Sequence, residues 1–229
     1  MAKRRRTSNV QRQRASTEAL NRRLDQGSAS ALPDWRLLLI GGVIVVGVLI
    51  LALVLIFGGG EAANVGVQHP DDGNAHVAVG TDCRAAPQSD PNCGSNPYSS
   101  LPATSGPHWD PSGIANWGVY TTPQPETQLI HNLEHGGIVI WYDPEALTAE
   151  SIDALTGYVQ NQNASGLSGR YKFILSPWGA SEPLPAPVVA TAWRWSLELE
   201  TADIDAVDEF ARAHYGRSPE PNGGPGPPG

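Results

Sequence analysis

The chain has 229 residues, of which 40% are hydrophobic, and it carries a formal net charge of −8 at pH 7. The charge is unevenly distributed, because residues 1–36 hold nine basic and three acidic side chains, which leaves about −14 on the remainder. Nucleic-acid sites need clustered Lys and Arg, so we expect no nucleic-acid partner for this acidic part.

An uncharged apolar run fills residues 37–57 and follows the basic segment. At 1.5 Å per residue, about 21 residues span roughly 30 Å of hydrocarbon, which predicts a transmembrane helix. A cleavable signal peptide is the alternative, although its apolar region would be only about 7–15 residues long. Because Lys and Arg beside a span stay in the cytoplasm, we expect a single-pass cell-membrane protein with a cytoplasmic N-terminus and an extracytoplasmic C-terminal part.

Composition divides the exported part into three regions. Residues 58–74 are predicted to be a linker, and residues 75–217 are numerous enough for one domain with a hydrophobic core. Residues 218–229 are rich in Pro and Gly without any period, which predicts a disordered tail. The basic segment 1–36 is likewise predicted to be disordered.

Two cysteines, Cys83 and Cys93, both lie in the exported part. Oxidising compartments let disulfides persist, so this pair predicts one disulfide that closes a short loop. Nine residues separate the two cysteines, which does not match the C-x2-C spacing of zinc and redox motifs. A thiolate pair that binds copper is the alternative interpretation.

The later part of the domain shows regular patterns that predict an α+β fold. Strands are predicted over Gly137–Tyr142, Tyr171–Ser176 and Pro187–Leu199, from runs of β-branched and aromatic residues. A helix is predicted to begin after Thr148, with Thr148 as its N-cap, and another after Asp203. This order predicts a mixed sheet packed by two or three helices. His214 falls on the apolar side of the last helix, where a structural role is expected.

A histidine motif stands in the stretch "LIHNLEHGGIVIWYDP", residues 129–144. On a helix, His131 and His135 would share one face about 6 Å apart and could bind one metal ion. With Glu134 they also match the inverted zinc-peptidase motif, in which the Glu activates a metal-bound water. That motif needs a long helix, whereas the Gly pair at 136 and 137 predicts at most one helical turn before it.

Further histidines in the turn-rich first part of the domain can complete a metal site. We predict a cluster that binds copper(II) or zinc, because imidazoles without an exported Met or a free thiol favour these ions. Its predicted ligands are His76, His108, His131 and His135. Glu134 is predicted to orient a ligand, or to act as the catalytic base if the protein is a metal-assisted hydrolase. A small polar ligand in place of the metal also remains open.

Other interpretations stay open beside metal binding. The histidines could serve only to hydrogen-bond loops in a non-catalytic envelope or complex-assembly subunit with a protein partner. A serine hydrolase is disfavoured, because Ser105 lies in an ordinary turn and not at a strand-to-helix elbow. The sequence therefore leaves open whether the protein is an enzyme.

Several segments together resemble the bacterial membrane-anchored family known as domain of unknown function 3105. They are "AHVAVG", "NPYSSLPATSGPHW", "WGVYTTPQPETQLIHNLEHGGIVIWYDP", "VVATAWRW" and "DEFARAHYGRSPE". The resemblance runs from about His76 to Glu220, and "HNLEHG" is its most specific element. The family's loop commonly reads Pro-Pro-Thr-Ser-Gly-Pro-His, whereas "LPATSGPH" here loses the first proline and keeps the histidine. The resemblance implies a single-span envelope protein and groups His76, His108, His131, Glu134 and His135, but it implies no reaction.

Overall fold

The longer strands of the chain form one mixed sheet. The computed structural model describes residues 65–164 and 170–225, and its eight strands are β1 (Val67–Gln68), β2 (His76–Val77), β3 (His108–Trp109), β4 (Gly118–Val119), β5 (Ile138–Tyr142), β6 (Phe173–Pro177), β7 (Val188–Ala192) and β8 (Trp195–Leu199). Six of them lie in the order β1-β8-β7-β5-β6-β4, with β6 parallel to β5 and β4. The pairs β5-β7, β7-β8 and β8-β1 are antiparallel.

Three helices of the described residues pack on this sheet. The alternating side chains of β5 show which helices cover each face. The helices are α1 (Glu126–Glu134), α2 (Ala149–Ala164) and α3 (Ile204–His214). Ile138 and Ile140 pack in a core with apolar residues of α2 and α3, whereas Val139 and Trp141 pack with α1 and the cysteine loop. Successive strand residues point to opposite faces, so the sheet is covered on both sides. The predicted α+β class is confirmed.

Helix boundaries follow the capping signals in the sequence. The Thr148 Oγ1 accepts a hydrogen bond from the backbone N–H of Ser151 at 3.2 Å, so Thr148 is the N-cap of α2 as predicted. Asp203 caps α3 in the same way, by accepting from the N–H of Ala206 at 3.0 Å. These two helix starts are confirmed.

The helix before the glycine pair is longer than the predicted single turn, and that prediction is wrong. Helix α1 has nine residues, of which seven are buried, including polar His131, Asn132 and Glu134. Because polar residues share its buried positions, only Leu129, Ile130 and Leu133 show helical apolar spacing, which is too short a pattern to predict the full helix. Its end is as predicted. Gly136 has φ 79°, its N–H donates to the Leu133 carbonyl, and the N–H of Gly137 donates to the Asn132 carbonyl, which together form a Schellman motif.

The segment predicted as one strand over Pro187–Leu199 is a hairpin. Strands β7 and β8 pair antiparallel, with Ala192 opposite Trp195. The turn consists of Trp193 and Arg194, and Arg194 has a left-handed φ of 64°. The sequence offers no Gly or Asn at this turn, which is why the break went unpredicted.

The folded domain extends beyond its predicted limits of 75 and 217. Strand β1 pairs with β8, and the Val65 carbonyl accepts a hydrogen bond from His214 at 2.7 Å, so part of the predicted linker belongs to the fold. Residues 217–225, here called the C-terminal strap, also lie against the domain. The strap is anchored by Lys172, whose buried ammonium group donates to the carbonyls of His135, Pro221 and Gly223 at 2.8–2.9 Å.

The disulfide between Cys83 and Cys93 is confirmed, and both cysteines are buried. A disulfide indicates an oxidising, extracytoplasmic setting. The predicted transmembrane helix over 37–57 lies outside the described residues. Among residues 65–164 and 170–225, no helix combines the length and the apolar character that crossing a membrane requires.

Candidate metal centre

Three segments of the chain bring three histidines and one glutamate together. One ligand atom from each of His76, His108, His131 and Glu134 lies within 4.8 Å of the other three. Helix α1 supplies His131 and Glu134, which share a face because they are three residues apart. Strands β2 and β3 run parallel with His76 directly opposite His108, so the short ladder places both imidazoles on one side.

Backbone hydrogen bonds fix this short ladder. The N–H groups of Gly106, His108 and Asp110 donate to the carbonyls of Gly73, Ala75 and Val77 at 2.8–3.0 Å. Two-residue strands alone are marginal, but the ladder packs against α1 through Val77 and Trp109. The register that sets the His76 and His108 side chains is thus fixed by both pairing and packing.

Glu134 is buried, with an exposed fraction of 1%, and both of its carboxylate oxygens have partners. Oε1 accepts from the Asn74 Nδ2 at 3.0 Å, and Oε2 lies 3.0 Å from the His108 Nε2. Burial on its own would raise the pKa of Glu134, but the hydrogen bonds from His108 and Asn74 outweigh it and the pKa lies below its usual value. The group therefore offers an ionised carboxylate at neutral pH.

Two histidines are oriented by backbone carbonyls at their far ring nitrogens. The Nδ1 of His131 faces the Trp109 carbonyl at 2.6 Å, and the Nδ1 of His108 faces the Gly106 carbonyl at 2.9 Å. A carbonyl accepts only, so each Nδ1 carries the proton and donates it. Metal-binding histidines are commonly held this way, because the bond fixes the ring and leaves Nε2 for the ion.

His131 is prepared to bind a cation at neutral pH. Burial lowers its pKa to about 4, and the hydrogen bond to the Trp109 carbonyl only partly opposes that effect. The imidazole is therefore neutral over the physiological range, and protons do not compete with a metal for its Nε2.

The His108 Nε2 and the Glu134 Oε2 lie so close that a positive charge between them would stabilise the pair. With Nδ1 donating to a carbonyl, the Nε2 lone pair of a neutral His108 would face the carboxylate oxygen at 3.0 Å, which is repulsive. A proton or a metal ion on Nε2 removes the repulsion. In tetrahedral zinc sites neighbouring ligand atoms lie roughly 3.4 Å apart. The distances from Glu134 Oε2 to the Nε2 atoms of His108 and His76, 3.0 and 4.0 Å, bracket that value.

His76 forms the solvent-facing side of the group. Its side chain is 46% exposed, whereas His108, His131 and Glu134 are buried. The carboxylate of Asp110 lies in the same region. Its pKa is lowered by hydrogen bonds from Ser112 and, to a lesser degree, by the imidazoles of His76 and His131. A cation would therefore approach from the His76 side, past a negative charge.

His135 is not among the four converging groups, although its ring stacks on that of His131 with centroids 4.9 Å apart. It occupies the C-cap of α1, where its Nδ1 faces the Glu220 carbonyl of the strap at 3.1 Å. The group of four that could hold a metal ion contains Glu134 where the sequence predicted His135. Sequence reasoning gave Glu134 a supporting role because it weighed imidazoles alone.

The other histidines of the described chain have separate structural surroundings. His214 is buried, donates to the Val65 carbonyl and stacks on Trp195, in keeping with its expected structural role. The Nε2 of His69 lies 2.7 Å from the Ser196 Oγ. Neither residue belongs to the group of four.

A cleft of about 490 Å³ lies elsewhere on the domain and is lined by Arg84, Glu126 and Trp178 among others. None of the four converging residues lines it. Size alone does not make a cleft the site of chemistry, and the convergence of ligand atoms outweighs it here.

Sequence reasoning also missed Asn74, whose amide donates a hydrogen bond to Glu134, because an Asn in a turn rich in Gly and Asp is usually interpreted as a turn residue.

The fold and the site define an α+β domain that carries a three-histidine, one-glutamate cluster beside a disulfide-closed loop. The chain belongs to the family described as protein of unknown function (DUF3105), which matches residues 91–225. His108, His131 and Glu134 lie inside the matched range, and His76 precedes it. No curated protein and no solved structure matches the chain.

Proposed function

We propose that this domain binds a divalent transition metal, zinc or copper(II), through His76, His108, His131 and Glu134. The observation that carries the proposal is the convergence of four ligand atoms within 4.8 Å, from three separate segments. The Nδ1 bonds of His108 and His131 to backbone carbonyls support it, because they fix both rings and leave each Nε2 available to an ion.

The donor set favours zinc or copper(II) over copper(I). Three imidazoles and one carboxylate are borderline to hard ligands, whereas copper(I) prefers thiolate and thioether sulfur. Both cysteines are joined in the disulfide, and the sole methionine is Met1. Three neutral imidazoles and one carboxylate around a divalent ion give the bound site a net charge of +1. The nearby carboxylate of Asp110 offsets part of this charge.

Binding is favoured over hydrolysis by the position of Glu134. A general base needs a free carboxylate oxygen within reach of a metal-bound water. In this site Oε1 is engaged by Asn74 and Oε2 faces His108, and the side chain is buried. Glu134 is therefore better placed as a ligand than as a base.

The proposal also includes the setting of the domain. The disulfide supports an extracytoplasmic position, and the apolar run over 37–57 supports a single membrane span with residues 1–36 in the cytoplasm. A metal-binding domain held there would meet ions in the envelope before they reach the cytoplasm. Protease accessibility of the domain in intact cells tests this arrangement, and protection of the domain until lysis would contradict it.

Metal analysis of the full-length protein tests the binding itself. After mild purification in detergent and titration, we expect about one equivalent of zinc or copper(II). His131→Ala should reduce the affinity at least a hundredfold, because it removes one of four ligands. His69→Ala is the matched control, since it removes an imidazole outside the cluster, and it should keep the metal.

A chain that folds but takes up neither ion, or that binds equally well as wild type and His131→Ala, would contradict the proposal. If such a metal-free protein co-purifies from membranes with a stoichiometric partner, the protein is an assembly subunit and its histidines hydrogen-bond loops. Circular dichroism of both variants checks that the fold is kept.

A further inference from the structure

The disulfide loop, residues 83–93, contacts two of the three elements that carry the candidate ligands, α1 and β2. At its first end, the Cys83 N–H donates to the Thr127 Oγ1 of α1 at 3.4 Å. Arg84 forms a two-point ion pair with Glu126, also on α1, at 2.7 and 2.9 Å. This end of the loop is thus fastened to the helix that supplies His131 and Glu134.

The second end of the loop holds His76. The Asn92 Nδ2 donates to the His76 carbonyl at 2.8 Å, and Asn92 directly precedes Cys93. The Cys93 side chain is buried and bonded to Cys83, so the disulfide sets where Asn92 can lie. His76 is also the exposed ligand of the group, on a strand of only two residues.

The two ends differ in what would hold them without the S–S bond. The Cys83 end keeps a bidentate Arg–carboxylate pair, which is a strong, directional contact. The Cys93 end keeps exposed hydrogen bonds, from the Asn92 N–H to the Asp90 Oδ1 within the loop and from the Ala78 N–H to Asp90 at 3.5 Å. Exposed bonds of this kind contribute little, so loss of the disulfide loosens the Cys93 end and its Asn92 contact to His76, while β2 stays paired with β3.

We propose that the Cys83–Cys93 disulfide regulates the metal site, with Asn92 as the positioning residue that transmits its state to His76. This inference rests on the proposed metal-binding function. In the reducing step a dithiol gives two electrons and two protons to the S–S bond, which breaks into two thiols, and the dithiol becomes a disulfide. The reduced protein then binds metal more weakly, because His76 keeps the β2-β3 pairing but loses the bond from Asn92.

The expected size of the effect follows from what is lost. The Asn92 bond is exposed and acts on the His76 backbone, so its loss should weaken metal affinity by about 2- to 10-fold, the effect of one hydrogen bond. Coupling between two equilibria is reciprocal, so bound metal should oppose reduction of the disulfide by the same factor. Metal release and disulfide reduction would then occur together.

A pair of amide-to-alanine variants of the full-length protein tests the role of Asn92. Asn92→Ala removes the bond to His76 with the disulfide intact, and zinc titration should show an affinity weaker by about 2- to 10-fold. Gln88→Ala is the matched control, because Gln88 is an exposed amide of the same loop outside the contacts described, and its affinity should equal that of wild type. Equal affinities for Asn92→Ala and wild type would overturn the inference.

Reduction tests the disulfide itself. Treatment with a phosphine reductant, which binds zinc weakly, or the double variant Cys83→Ser with Cys93→Ser, should weaken zinc binding in the wild-type background. In a His76→Ala background the same treatments should have no further effect. An equal loss in both backgrounds would show that the disulfide acts on the fold and not through His76.

The cobalt(II) absorption spectrum supplies a readout that a general loss of stability would not move. Oxidised wild type should give a four-ligand spectrum, and Asn92→Ala should shift it toward the spectrum of His76→Ala. If oxidised wild type binds no metal at all, the proposed function fails. If it binds metal equally in both redox states, only the regulation fails.

Discussion

The two faces of the sheet are built by different means. On one face, α2 and α3 cover β5 to β8 with aliphatic and aromatic side chains, and the element boundaries follow apolar periods and caps. On the other, α1, the β2-β3 ladder and the disulfide loop also pack on apolar side chains, and side-chain bonds to backbone groups, ion pairs and one covalent link are added to that packing. We call the first the apolar face and the second, which carries the four candidate metal ligands, the ligand face. The contrast predicts that packing stability and metal affinity can be changed separately.

The largest expected effect comes from the apolar face. Phe210 of α3 is fully buried there, and Phe210→Ala should lower the free energy of unfolding by about 3–5 kcal/mol, because it removes packing and leaves a cavity. Denaturant unfolding measures the loss, and zinc titration at low denaturant should give an unchanged Kd for the folded protein. Val67→Ala, at a position 58% exposed, should cost no more than about 0.5 kcal/mol. A weaker Kd in folded Phe210→Ala would show that the faces are coupled.

A pH dependence of up to about 3 kcal/mol should come from the ligand face. The folded pKa of His131 is about 4 and its unfolded pKa is about 6.5, so the unfolded chain binds more protons between these values. The stability is therefore fully present above pH 6.5 and is lost as the pH falls toward 4. Chemical unfolding of the chelator-treated protein at successive pH values measures it.

His214 provides the comparison between the faces, because burial also lowers its pKa. His131→Gln and His214→Gln should each flatten the profile between pH 6.5 and 4.5, and the change should be larger for His131. The pKa of Glu134 lies below its usual 4.5, so its own loss of stability comes at lower pH and is separable. A wild-type profile that stays flat over this interval would contradict the burial of a neutral His131.

The smallest effect should come from a helix cap. Thr148→Ala removes the Oγ1 that accepts from the Ser151 N–H, and it should cost about 1 kcal/mol of unfolding free energy without changing zinc affinity. Thr201→Ala, at an exposed threonine outside α3, is the matched control and should be near neutral. Equal losses for both variants would show that the hydrogen bond from the Ser151 N–H to Thr148 does not cause the loss.

The apolar face could be predicted from the sequence because it obeys local rules. The β-branched run "IVIWY" and the Thr148 and Asp203 caps each specify their structure within a few residues. The ligand face depends on contacts distant in sequence. Helix α1 buries polar side chains and so shows only a short apolar pattern, and the β2-β3 pairing joins residues more than 30 positions apart.

The sequence predicted three histidines of the candidate site as ligands, but it did not predict Glu134 as a ligand. His76, His108 and His131 stood out because imidazoles are few and ligand-like, and the structure brings their rings within about 5 Å of one another. Whether Glu134 or His135 joins them depends on where α1 ends and on the Glu220 carbonyl of the strap, 85 residues from His135. No local pattern encodes that contact.

The three carbonyls around Lys172 have a practical meaning for protein engineering. Two of them, from Pro221 and Gly223, belong to the strap, so a fragment cut before Pro221 would keep the ammonium group and lose two of its three acceptors. The Trp117 indole N–H also donates to the Pro225 carbonyl. A soluble fragment should therefore run past Pro225, and an affinity tag at this end needs a spacer, even though the composition of the segment invites its removal.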